Sequence, residues 1–134
     1  MYEHNGITFN FSDRDWHPYP PDRLRELGIG GNGVWHNPAL KVGALAVRRS
    51  LQYTEFAVAK AGVDYVFTAE QEGRIDTGYV VLLERNEQVI RVIPVREIVA
   101  ALEGTPPRQG RLGEYWWFNA DGTPYSHNKD YIPF

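Results

Sequence analysis

Apolar positions divide the chain into a mixed first half and a second half with strand character. In residues 7–11, ITFNF, the apolar Ile7, Phe9 and Phe11 alternate with Thr8 and Asn10, the period of a half-buried strand. In DWHPYPPDRLRELG, Pro18, Pro20 and Pro21 hold the backbone extended before a short helix that starts at Pro21 or Asp22 and stops at Gly28. Asn37-Pro38 has the form of a helix N-cap followed by proline at the first helical position. Leu40, Ala44, Val47 and Leu51 then recur at helical spacing, and the pattern runs on through Phe56 to a stop at Gly62, with a break near Tyr53 as the alternative.

Three runs rich in β-branched and aromatic residues come next: VDYVFTA (63–69), GYVVLLE (78–84) and QVIRVIPV (88–95). Separated by polar turns, they predict an antiparallel meander. REIVAAL (96–102) predicts a short helix closed by Gly104, and TPPRQGRLG (105–113) a loop. EYWWFNADGTPY (114–125) predicts a hairpin around Asn-Ala-Asp-Gly. The expected fold is therefore α+β in a single domain over residues 1–134. N-terminal helices pack on the antiparallel meander, a C-terminal aromatic hairpin extends it, and irregular segments occupy about 12–38 and 126–134.

Composition narrows the function classes. With 134 residues, 43% hydrophobic and 23% charged, the chain has the make-up of a globular domain able to bury its own core. It has no cysteine, which excludes disulfides, thiolate metal sites and a cysteine nucleophile. The start MYEHNGITFNFSDRD has no basic or apolar leader, and no apolar run has the length of a membrane span, so the expected setting is cytoplasmic and away from membranes. Net charge is −3, and only Arg23/Arg25 and Arg48-Arg49 form basic pairs. Phosphate neutralisation supplies most nucleic-acid affinity, so this balance disfavours a nucleic-acid partner.

Gly28, Gly30 and Gly33 match the letters of the dinucleotide fingerprint G-x-G-x-x-G. That motif works when a strand leads into the glycines and a helix leaves them. Here they follow the helical RLREL, so the match is accidental. What remains is an anion-binding expectation at Gly30, Gly31, Gly33 and Asn37, resting on a helix that begins at Asn37. It would suit a small-molecule or nucleotide pocket.

Glu55 on a helix, with Asp64, Asp76 and Glu84 on the strands after it, resembles the arrangement of the PD-(D/E)XK nucleases. The resemblance implies a metal-dependent nuclease that holds Mg through Glu55, Asp64 and Glu84. The chain departs from the family pattern, since Glu84 is followed by Arg85 and Asn86 and no lysine stands two residues beyond it. Asp76 and Glu84 lie at opposite ends of one strand, about 26 Å apart at 3.3 Å per residue. Otherwise no metal or cofactor is expected. The histidines His4, His17, His36 and His127 lack local metal-binding spacing, although His17 and His36 each follow a tryptophan in segments that could meet.

Tyr115-Trp116-Trp117-Phe118 is apolar on both faces of a strand, and the surplus points to a binding surface. Tyrosine, tryptophan and arginine dominate interface hot spots because they bury large rigid areas at low entropic cost. The expected function is thus a small non-catalytic binding protein of inhibitor or adaptor type. Its contact set is Tyr115, Trp116, Trp117, Arg108 and Arg111, with Trp16 and Trp35 from the N-terminal segment, and its partner is a protein.

Overall fold

The structure is a computed structural model that describes residues 2–27, 29, 32–49, 53–111 and 113–125. It is a mixed α/β fold, mostly sheet. In chain order the elements are β1 (Tyr2–His4), β2 (Ile7–Phe9), β3 (His17–Pro18), α1 (Pro21–Glu26), β4 (Asn32–Asn37), β5 (Val42–Arg48) and β6 (Phe56–Ala59). There follow α2 (Lys60–Gln71), β7 (Thr77–Leu83), β8 (Val89–Pro94), α3 (Val95–Ala101), β9 (Arg108–Gly110) and β10 (Gly113–Phe118).

A five-stranded sheet in the order β3-β4-β5-β7-β8 forms the centre. Period-two alternation along its inner strands feeds two separate apolar clusters. Val34, Leu45, Val47, Val80 and Leu82 face one side, where they meet Val63, Val66 and Ala69 of α2 and Val95 and Ile98 of α3. Val42, Ala44, Ala46, Tyr79, Val81 and Leu83 face the other side and are covered by Phe9 and Trp16. Both faces of β5 and β7 are therefore dry, and continuous apolar runs are what such strands require. A second sheet, β6-β10-β9, adds Phe56, Val58, Trp116 and Phe118 to the cluster under the helices.

Several elements follow the sequence. The α1 helix starts with Pro21 in its first turn, β7 and β8 pair antiparallel, and α3 is followed by Gly104 at φ 77°. Other expectations are overturned. No helix runs from Asn37 to Gly62 in the described residues. Asn37 ends β4, and its side-chain oxygen accepts from the Leu40 N–H at 3.3 Å in a tight turn closed by Lys41 at φ 55°. The helical spacing was an artefact of VGALAV, a run of small apolar residues whose periodicity cannot separate buried strand from helix. Residues 63–69 are helix, because Val63, Val66 and Ala69 share one buried stripe while Asp64 and Thr68 face water. Gly62 does not stop a helix. It lies inside α2, where a Cβ would sit 2.5 Å from Leu45 Cδ1, so it lets the helix approach β5 closely.

The expected all-antiparallel meander is likewise corrected. β5 and β7 are parallel, with Leu45 opposite Val80, and the crossover between them carries β6 and α2. The helices on the sheet come from the middle and second half of the chain; α1 buries none of its residues. The C-terminal hairpin does not extend the meander, because β10 pairs with β6 and β9 in a sheet of its own. The Asn119–Gly122 turn forms as expected, through Gly122 N–H to the Asn119 carbonyl at 3.0 Å, and the returning chain pairs briefly with β10: the Asn119 N–H donates to the Thr123 carbonyl at 2.8 Å and the Tyr125 N–H to the Trp117 carbonyl at 2.9 Å, with Phe118 bridged to Pro124.

Candidate functional site

Strand β10 carries the aromatic run, and its pairing partners decide what each ring does. Trp116 sits opposite Val58 and Phe118 opposite Phe56, all four turned into the core. The Trp116 indole N–H donates to the Thr105 carbonyl at 3.0 Å, which satisfies its one polar atom inside the protein. The alternate residues, Tyr115 and Trp117, share the outward face with Ala59 and Ala57, their cross-strand partners on β6. Large rings beside small alanines leave a groove of about 270 Å³.

Three rings run along this face. Tyr53, 49% exposed, stands 5.0 Å from Trp117, and Trp117 meets Tyr115 edge-on at 5.4 Å and 89°. Tyr115 lies over Gly110 of β9, where a Cβ would come within 2.8 Å of its ring. The glycine thus clears the floor of the groove for the ring. Arg111 and Glu114 border the groove and bring both signs of charge to its rim. Arg108, half-buried on β9, faces Tyr115 in register.

The remaining expected contacts are elsewhere. Trp16 is buried between Phe9 and Phe11, at centroid distances of 5.5 and 5.1 Å, and its N–H donates to the Thr8 carbonyl at 3.1 Å. Trp35 is half-buried and stacked on Phe11 at 5.0 Å. Trp16, Trp35 and Trp116 thus lie off the outward face of β10, where Tyr53, a residue the sequence did not mark, stands instead. The signal that points to this face is the pair Ala57 and Ala59, small residues at alternate positions of a strand facing two large rings.

Gly30 and Gly31 lie outside the described residues. Gly33 belongs to β4, and no helix starts at Asn37, so the helix N-terminus that the anion site needed is not there. Each of the acids has its own partner. Asp64 pairs with Lys60 one helical turn away at 2.6 Å, Glu84 with Arg49 at 2.9 Å, and Glu55 accepts from the Thr54 hydroxyl at 2.8 Å. Asp76 faces Lys41 at 3.8 Å, with all of β7 between it and Glu84. Among the described residues no three His, Asp or Glu side chains are placed to hold a metal ion together. His17 and His36 do meet, as direct cross-strand partners on β3 and β4; His127 lies outside the described residues.

No family model, curated protein or solved structure matches this chain. Among the described residues no helix is long and apolar enough to cross a membrane.

Proposed function

We propose that this chain is a non-catalytic binding protein, of inhibitor or adaptor type, that engages a protein partner through the outward face of β6 and β10. The observation that carries this reading is the row Tyr53–Trp117–Tyr115 along a groove floored by Ala57, Ala59 and Gly110. Rigid amphipathic rings at the centre of a small concavity are the anchors that interfaces use, and a rim of opposite charges supplies orientation. Arg108 and Arg111 fit the same reading as hydrogen-bond donors at the edge.

A single-stranded nucleic acid would also stack on such rings. The net charge of −3 argues for protein instead, because stacking alone lacks the backbone neutralisation that holds a nucleic acid. The test is a comparative pull-down from host lysate with wild-type protein, Tyr115→Ala and Trp117→Ala, each checked for native far-UV circular dichroism. Loss of the same captured protein from both variants is the expected result. Capture that survives both substitutions in folded protein overturns the reading, as does tight binding of a poly-dT oligonucleotide at physiological salt.

A further inference from the structure

A second concavity, apart from the aromatic face, lies between α2 and the central sheet. Sheet register creates it. His36 of β4 stands opposite Gly43 of β5, and Gly43 opposite Gly78 of β7, so this row carries almost no side-chain volume beyond the histidine. Ile75 and Val66 partly fill the space, approaching the positions that a Cβ would take on Gly43 and Gly78 to 2.8 and 2.4 Å. A cavity of about 190 Å³ remains.

Its inner wall is apolar, made by Val34, Val66, Ala69 and Ile75. Its polar groups are Tyr19, Tyr65, His36 and Arg74. Tyr19 and Tyr65 touch edge-on at 5.1 Å, and the Arg74 guanidinium lies over the Tyr65 ring at 5.6 Å. Arg74 also pairs with Glu72 at 2.9 Å, but that pair is half-exposed on both sides. Exposed pairs are weakly held, so a competing carboxylate can take the guanidinium.

Size and chemistry together select a ligand class. A dry cavity of about 150 Å³ holds one benzene molecule, so this one has room for a six-membered ring with one small substituent. Guanidinium presents a planar fork of donors matched to a carboxylate. We propose that the cavity binds a small aromatic monocarboxylate, with its ring against Val34, Val66, Ala69 and Ile75 and its carboxylate on Arg74, His36 being the second polar contact.

The test is a ¹H–¹⁵N NMR titration of the wild-type chain and Arg74→Gln with two probes, sodium benzoate and uncharged benzyl alcohol. Arg74 is exposed, so its replacement leaves the core untouched. Benzoate is expected to perturb the amides of Gly43, Ala69 and Ile75 saturably. Arg74→Gln is expected to weaken benzoate by about tenfold, the scale of one lost charge-assisted contact, and to leave benzyl alcohol unchanged. Absence of saturable shifts at those amides, shifts centred on Tyr115 and Trp117, equal benzoate affinity in both proteins, or equal weakening of both probes would each overturn the assignment.

Discussion

At Trp116 the indole N–H and the Thr105 carbonyl satisfy each other inside the core. Trp116→Phe keeps most of the ring but strands that oxygen, and a loss of about 1–3 kcal/mol in urea unfolding is expected, the usual cost of an unsatisfied buried polar group. Trp117→Ala, one residue on, is expected to cost less stability while abolishing partner capture. A larger loss at Trp117 than at Trp116 would contradict the assignment of faces. Asp121 offers a different handle. The Thr123 hydroxyl, and after it the Thr123 backbone N–H, hold its carboxyl below its ordinary 3.8. A depressed folded value means the contribution is present above the unfolded pKa and disappears as pH falls through the folded one. The difference in thermal midpoint between wild type and Asp121→Asn is therefore expected to be flat near neutral pH and to shrink in acid; a difference that grows in acid would reverse the sign.

Between elements, the tightest approach is α2 on β5 at Gly62. Alanine there gains helix propensity of roughly 1 kcal/mol. Its Cβ, however, would meet Leu45 Cδ1 at 2.5 Å and Cδ2 at 2.9 Å in a fully buried position. Overpacking of that kind costs about 1–3 kcal/mol, so Gly62→Ala is expected to lower the melting temperature in calorimetry despite the better helix former. The same contact explains what was hidden in the sequence. Where one face is wet, as in α1 or the β7–β8 turn, local chemistry showed the element. VGALAV and VDYVFTA lie against other elements, and there tertiary burial overrode propensity: small residues became a strand and β-branched residues a helix. The Lys60–Asp64 spacing of four was a helical signature within reach, and it was outweighed by the β-branched content. In the candidate site the aromatic run was legible. Which of its rings turn outward was not, because that depends on β6, whose pairing with β10 joins positions 56–59 to 115–118.

For the molecule as a whole, the pairing of the acids is the clearest chemical statement. Each candidate carboxylate is already engaged by a lysine, an arginine or a hydroxyl, and pairing of that sort opposes their assembly around a cation. A ligand that binds only the native state must raise the melting temperature. Millimolar Mg²⁺ or Mn²⁺ is accordingly expected to leave the midpoint unmoved and DNA uncut; a rise that Glu84→Gln abolishes would restore the nuclease reading. The seat of the β1–β2 hairpin has a consequence for folding as well. Phe9 rests on Tyr79 of β7, with ring centroids 5.3 Å apart, and shares its cluster with Val42, Ala44 and Ala46 of β5. The hairpin therefore gains its full shelter only once β7 has joined β5, and long-range pairing of that kind slows folding.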